Sequence, residues 1–212
     1  MGVSEERAVP IPLAGEDFVL EGLYVAVSAR DADGAVVAAP HPLYGGSMDS
    51  PVVNELAQAC DRAGIASLRF NWRGVGASGG ETSGEAADAD ADYGAALEQI
   101  AETVPGALVA CGYSFGAAAA LRCAAAERRV TRLVLVAPPP SLLDAEALSR
   151  FPGRTLLLGG AHDTLAPPAA LAELAEASER IRFAGIPDAD HFFGVGLAEI
   201  GKQAAAFLGS AS

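Results

Sequence analysis

From about residue 51 onward, two kinds of apolar segment alternate along the chain. Segments in which apolar residues recur every three or four positions predict helices, and shorter continuous apolar runs predict strands that are covered on both faces. The predicted helices span 51–63, 85–103, 115–127, 167–178 and 196–208, and the predicted strands span 65–70, 107–112, 131–137, 155–159 and 180–185. Strands that alternate with helices in this way predict a mostly parallel sheet with helices on both faces.

The chain before residue 51 has a different pattern. Apolar and polar residues alternate in 17–30, an Asp-Ala-Asp-Gly cluster follows at 31–34, and an apolar run ends at Pro40. Alternation interrupted by turn-forming residues predicts two antiparallel strands joined by a turn. We therefore predict an antiparallel hairpin, formed by these two segments, at one edge of an α/β sheet.

The organisation of the chain is predicted to be simple. No linker or break in composition divides it, so we predict a single domain over residues 1–212. The segment 138–153 is the one place between the core strands where a lid could be inserted, and it has room for about one short helix. The predicted lid is therefore minimal or absent.

Composition and charge exclude several classes of function. The chain is 51% hydrophobic and 19% charged, which is typical of a globular protein, and no apolar run approaches the ~20 residues that span a bilayer. Its first residues carry acids where a signal peptide needs basic residues, so we predict a cytoplasmic protein that does not bind membranes. A formal charge of −13 disfavours binding to nucleic acid. A homodimer is left open, because nothing in the sequence decides the oligomeric state.

No metal or cofactor site is predicted. Cys60, Cys111 and Cys123 lack the spacing of a zinc site or a disulfide framework, and we expect them to be buried small side chains. The glycine-rich stretch 71–80 has neither the GxGxxG pattern nor the Lys-Ser/Thr ending of a phosphate-binding loop. We therefore expect no nucleotide cofactor.

Ser114 is the candidate nucleophile. It lies in Gly-Tyr-Ser-Phe-Gly at 112–116, between a predicted strand and a predicted helix. One interpretation is that Ser114 only caps the helix. The other is a nucleophile elbow, in which the chain turns so sharply that the residues two positions before and after the serine must lack a Cβ atom. The strand-to-helix context favours the elbow.

A serine hydroxyl needs a general base, and histidine has the most suitable pKa. The chain contains three histidines, His41, His162 and His191. His191 follows the last predicted strand, so it would lie at the carboxyl edge of the sheet, where catalytic groups of parallel sheets collect. We predict His191 as the base, with His162 and His41 as weaker alternatives.

The base in turn needs a carboxylate that orients it. Asp163 follows the strand predicted at 155–159 and is the predicted acid. Asp188 and Asp190 compete with it because they are close to His191 in the sequence. They are weaker candidates, since side chains so close together along a chain usually point apart.

Four motifs occur in a fixed order along the chain. They are APHPLYGGSM at 39–48, RFNWRGVGASGG at 69–80, GYSFG at 112–116 and DHFF at 190–193. On these motifs the chain resembles the α/β-hydrolase superfamily, and more narrowly the small bacterial dienelactone-hydrolase-like proteins. The order Ser114, Asp163, His191 is also the order of the catalytic triad in that superfamily.

The resemblance implies an oxyanion hole made of backbone amides. One donor would be the N–H of Phe115, and the second that of His41, with Tyr44 as the fallback donor. Ala39 stands where the family's motif has a histidine, so the chain departs from the family in the loop that would supply the second donor. Aromatic residues of the site loops are predicted to line a substrate pocket, namely Tyr44, Tyr113 and Phe192.

Together these features predict a serine hydrolase that cleaves a small carboxylic ester or thioester through an acyl-enzyme intermediate. Two alternatives remain. The same triad could serve a peptidase or amidase, and the same fold could belong to a catalytically silent binding protein.

Overall fold

The structure is a computed structural model that describes residues 5–210. In this part of the chain eight strands form one sheet, in the order β1-β2-β4-β3-β5-β6-β7-β8. The strands are β1 Glu6–Pro12, β2 Val19–Val25, β3 Gly34–Ala38, β4 Ala66–Phe70, β5 Leu108–Tyr113, β6 Val130–Val136, β7 Arg154–Gly160 and β8 Ile181–Ile186. Strands β3 to β8 run parallel to their neighbours within this group, whereas β2 is antiparallel to both β1 and β4.

Helices connect the parallel strands. They are α1 Pro51–Arg62, α2 Ala86–Thr103, α3 Phe115–Ala124, α4 Ala145–Arg150, α5 Pro168–Glu176 and α6 Leu197–Gly209. Helix α1 packs against α6, and α2 packs against α3. Among residues 5–210 there is no helix that is both long and apolar enough to cross a membrane.

The predicted α/β architecture is confirmed. Each helix and strand predicted from residue 51 onward is present, with its ends within three residues of the predicted ones. Every residue of β3, β4 and β5 is buried, which explains why the central strands are apolar almost throughout. Segment 138–153 holds a 3₁₀ turn at Pro140–Leu142 and the six-residue helix α4, so it forms no large lid.

The predicted pairing of 17–30 with 34–39 is wrong. Strand β2 pairs with β1 and β4, and β3 lies between β4 and β5 as a parallel strand. The antiparallel edge pair exists, but β1 and β2 form it. Strand β1 contains Pro10 and Pro12, which weaken its sequence signal. Proline is tolerated there because β1 is an edge strand, where one row of backbone groups needs no partner.

The topology brings four loops to one edge of the sheet. Strands β3, β5, β7 and β8 point in the same direction, so the loops after them meet at their carboxyl ends. These loops carry His41, Ser114, Asp163 and His191 respectively. The four residues come from positions up to 150 apart in the sequence (191 − 41).

Candidate active site

Ser114 occupies a sharp turn. Strand β5 ends at Tyr113 and α3 begins at Phe115, so Ser114 is the single residue between them. Its backbone has φ 55° and ψ −114°, a region that residues with a side chain rarely adopt. The Ser114 N–H donates a hydrogen bond of 2.8 Å to the carbonyl of Val136 on β6. This bond helps to hold the strained residue at the carboxyl end of the sheet.

The two flanking glycines are required by close backbone contacts. A Cβ atom on Gly112 would collide with the carbonyl of Gly116. A Cβ atom on Gly116 would collide with the carbonyl of Ala39 at the end of β3. The spacing in Gly-Tyr-Ser-Phe-Gly therefore allows α3 to pack directly against β5 and β3.

His191 lies beside the serine. Its Nε2 is 3.0 Å from the Ser114 Oγ. Both residues are buried, with His191 7% exposed and Ser114 8% exposed. The Tyr113 hydroxyl donates a hydrogen bond of 2.7 Å to the His191 carbonyl. The loop after β8 is also tied to the loop after β7, because the His162 N–H donates to the Ala189 carbonyl at 2.8 Å. His162 thus contributes a backbone contact, while its side chain is exposed.

Asp163 completes a chain of hydrogen bonds. Its Oδ2 lies 2.8 Å from the His191 Nδ1, and its Oδ1 accepts the N–H groups of Leu165 at 2.8 Å and Ala166 at 2.7 Å. The side chain is fully buried. Each carboxylate oxygen therefore has a partner, and the orientation of the carboxylate is determined by the backbone of its own loop.

The competing acids lie elsewhere. The Oδ1 of Asp190 accepts the N–H of Phe192 at 3.0 Å, and Asp190 is exposed. Asp188 is exposed as well, with a positive φ of 57°. The structure thus brings together Ser114, His191 and Asp163 and leaves both alternative acids outside the hydrogen-bond chain.

The two amides predicted for the oxyanion hole belong to Phe115, the residue after Ser114, and to His41, in the loop after β3. The Phe115 N–H is in the first turn of α3, where an amide has no partner within the helix. The loop after β3 approaches it closely, since the His41 and Phe115 rings are 4.5 Å apart between centroids. Within residues 5–210, neither the Phe115 N–H nor the His41 N–H donates a hydrogen bond. The Tyr44 N–H does, to the His41 carbonyl at 3.1 Å, so the fallback donor is already engaged.

The His41 ring is held in the same turn. Its Nδ1 accepts the N–H of Leu43 at 3.3 Å, and its ring packs 4.8 Å from that of Tyr44. Partial burial lowers the pKa of the His41 imidazole. A lowered pKa favours the uncharged ring, which agrees with Nδ1 acting as an acceptor.

A model of the family described as serine aminopeptidase, S33, matches residues 31–144, more than half of the chain, and this region includes Ser114. The chain belongs to this family of α/β hydrolases. An uncharacterised protein of Rickettsia prowazekii is 30% identical over 193 residues, covering 84% of this chain and 79% of that protein.

Two solved structures resemble this α/β hydrolase closely. An α/β serine hydrolase homologue from Coxiella burnetii is 27% identical, with a TM-score of 0.83, and the match covers 98% of this chain and 99% of the other. A Xanthomonas campestris member of the α/β serine hydrolases without a lid is 28% identical, with a TM-score of 0.81, and the match covers 100% and 99%. The family match and these two relatives identify the protein as a hydrolase of the α/β serine hydrolase type.

Trp72 makes a contact near the site of this hydrolase that the sequence did not predict. Trp72 is 1% exposed, and its indole N–H lies between the carbonyls of Ala39, at 3.2 Å, and Pro40, at 3.1 Å. Its ring also packs edge-on against Phe115, with centroids 5.7 Å apart. A buried indole N–H usually needs an acceptor, and Trp72 lies two residues after the end of β4, the strand that pairs with β3. That combination is the signal that could have identified it.

The predicted pocket residues have different surroundings. Tyr44 and Phe192 are exposed, and the Phe192 ring lies edge-on to His191 with centroids 5.6 Å apart. Tyr113 does not line an open pocket: it is 4% exposed and its hydroxyl is bound to the His191 carbonyl. The Tyr113 side chain is therefore placed against the loop that carries His191.

The cysteines of the hydrolase are not placed as nucleophiles. Cys60 and Cys111 are fully buried, and a hydrogen bond with Cys60 together with burial raises the pKa of Cys111 well above its usual value. Cys123 is partly exposed, unlike the buried position predicted, and burial raises its pKa to about 12. Within residues 5–210, no three His, Cys, Asp or Glu side chains are arranged to hold a metal ion.

Proposed function

We propose that the protein is a serine hydrolase that cleaves carboxylic esters or thioesters through an acyl-enzyme intermediate. The observation that carries this proposal is the hydrogen-bond chain from Ser114 Oγ to His191 Nε2, and from His191 Nδ1 to Asp163 Oδ2, at 3.0 and 2.8 Å. These contacts have the geometry that a nucleophile, a general base and an orienting carboxylate require.

In the proposed first half-reaction, Ser114 Oγ attacks the carbonyl carbon of the ester while His191 Nε2 takes the hydroxyl proton. The tetrahedral intermediate then collapses, the bond to the leaving oxygen or sulfur breaks, and His191 returns the proton to the leaving group. In the second half-reaction water attacks the acyl-enzyme, His191 takes a proton from the water, and Ser114 is released with the proton restored.

Asp163 has an orienting role in this proposal. As an acceptor at Nδ1, it favours the imidazole tautomer in which Nε2 is free to accept a proton from Ser114. It also stabilises the imidazolium that forms in each half-reaction. The two N–H groups of its own loop help to hold the carboxylate in position for both tasks.

The proposed oxyanion hole consists of the N–H groups of Phe115 and His41. Both amides lack other acceptors in the described chain, and the Phe115 amide lies at the N-terminus of α3, where the helix dipole favours negative charge. In this proposal the His41 backbone amide, rather than its ring, stabilises the oxyanion.

Trp72 is the positioning residue of this oxyanion hole in our proposal. Trp72→Phe keeps an aromatic ring but removes the N–H that holds the carbonyls before His41. We expect kcat for a p-nitrophenyl ester to fall about tenfold, or about 1.4 kcal/mol of transition-state stabilisation, with KM little changed.

Tyr93→Phe is the matched control for that substitution. Tyr93 is also buried, and its hydroxyl donates to the carbonyls of Val36 on β3 and Cys111 on β5, within the strands rather than in the loops that form the site. Each substitution removes a buried donor, so both lower the melting temperature, but only Trp72→Phe is expected to lower kcat. An equal loss of kcat in the two variants would show that Trp72 acts through stability alone.

A peptidase is the second candidate, because the matching family model is described as serine aminopeptidase. Ester cleavage ranks first since an amine is harder to expel than an alcohol and the short 138–153 segment supplies no separate specificity domain. We expect turnover of a p-nitrophenyl ester and no turnover above background of the p-nitroanilide with the same acyl group, because a serine peptidase cleaves both.

Three outcomes of that comparison separate the candidates. Enzymatic hydrolysis of the anilide would favour the peptidase. Hydrolysis of the ester alone, together with labelling of Ser114 by a fluorophosphonate probe, would support the proposed esterase. Folded protein that neither turns over nor takes the probe would instead be a binding protein on this fold.

A further inference from the structure

The exposed apolar side chains of this protein are concentrated around the candidate site. Among residues 5–210 seven large apolar side chains are exposed. Six of them lie in the loops after β3, β6, β7 and β8, and we call these six the apolar collar: Leu43, Tyr44, Leu142, Leu165, Phe192 and Val195. The seventh, Val19, is at the start of β2, three strands from β5 in the sheet, or about 14 Å at 4.8 Å per strand.

Several members of the collar are adjacent to the proposed catalytic groups. The Leu165 N–H donates to Asp163 Oδ1, and the Phe192 ring packs against His191. On the other side, the Tyr44 ring packs against His41. The collar therefore borders the triad and the oxyanion hole, and exposed apolar clusters of this kind mark binding sites for apolar ligands.

We propose that the apolar collar binds the hydrocarbon parts of an ester, so that the substrates of this hydrolase carry alkyl or aryl groups rather than charged ones. This inference rests on the proposed serine hydrolase function and names its substrate class. A protein seated permanently on the collar would close the entrance to Ser114, whereas a substrate must pass the collar in every turnover. Anionic lipid surfaces are disfavoured as occupants by the formal charge of −13.

The two sides of the collar contact different parts of the ester. His191 has to protonate the leaving oxygen, so the alcohol portion must lie on the side of His191, next to Phe192. The alcohol departs when the acyl-enzyme forms. Phe192 therefore acts on acylation and has no alcohol group to contact during deacylation.

The test is a series of n-alkyl acetates from ethyl to octyl, assayed below their solubility limits by acid release. In the wild type, kcat/KM is expected to rise about twofold per methylene, since an open surface removes only part of each methylene from water. In Phe192→Ser, kcat/KM should rise less steeply with alkyl length, so that the loss of kcat/KM relative to the wild type grows from ethyl to octyl acetate. The acetyl-enzyme is common to the series, so any change in its deacylation through the contact of Phe192 with His191 is the same for every ester and cannot produce a loss that grows with alkyl length.

Val19→Ser is the matched control, because it also removes an exposed apolar side chain but lies outside the collar. It should reproduce the wild-type series. A wild-type kcat/KM that does not change with alkyl length would overturn the proposed role of the collar while leaving ester hydrolysis in place. An equal loss for ethyl and octyl acetate in Phe192→Ser would overturn it as well, because Phe192 would then only support its loop. Absence of hydrolysis of every ester would instead overturn the proposed function, and the collar with it.

Discussion

Replacement of Ser114 by alanine is expected to lower kcat for a p-nitrophenyl ester by a factor of about 10⁴ to 10⁶. The substitution removes one oxygen, the only protein atom in the proposed mechanism that forms a bond with the acyl group. Residual turnover would come from the oxyanion amides and from substrate binding alone. Alanine tolerates the φ of 55° at this position about as well as serine does, so we expect the fold and the melting temperature to change little.

Ser67→Ala is the control for this variant. Ser67 is a buried serine on β4, outside the loops that form the site. The control should retain wild-type activity and take up a fluorophosphonate probe as the wild type does, while Ser114→Ala takes up none. Wild-type activity or undiminished labelling in Ser114→Ala would contradict the assignment of the nucleophile.

The parallel part of the fold was predictable because its signals are local. A central parallel strand is buried on both faces, so β5, β6 and β7 are apolar nearly throughout and their ends are visible in the sequence. The pairing of the first strands was not predictable in the same way. Strand β3 follows β2 in the chain but lies two places away in the sheet, with β4 inserted between them. Alternation and turn residues cannot reveal such an insertion, because it is decided by contacts between distant segments.

The candidate site shows the same contrast between features that local sequence signals predict and features that depend on distant contacts. The positions of Ser114, Asp163 and His191 follow from one rule, that loops after parallel strands meet at one edge of the sheet. The supporting contacts do not follow from any local pattern. The Trp72 indole N–H donates to the carbonyl of Ala39, 33 residues away. The Tyr113 hydroxyl donates to the carbonyl of His191, 78 residues away. Their roles depend on register and side-chain direction, which only the folded chain defines.

Asp163→Asn is expected to lower kcat by a factor of about 10³ to 10⁴ with little effect on stability. The asparagine oxygen can still accept the N–H groups of Leu165 and Ala166, so the amide nitrogen would face His191 Nδ1. An amide nitrogen can only donate, which forces Nδ1 to accept and places the ring proton on Nε2. In that tautomer Nε2 cannot take the proton of Ser114. The measurement is the steady-state kinetics of the ester reaction.

Asp190→Asn is the matched control, because Asp190 directly precedes His191 and is an alternative orienting acid by sequence proximity. Its Oδ1 accepts the Phe192 N–H, a contact that asparagine preserves, and its side chain is absent from the hydrogen-bond chain of the site. We therefore expect Asp190→Asn to remain within about threefold of the wild type. Equal losses in the two variants would mean that negative charge near His191 matters more than the contact at Nδ1. A fully active Asp163→Asn would remove Asp163 from the mechanism and leave His191 to be oriented by its loop alone, through the Tyr113 hydroxyl.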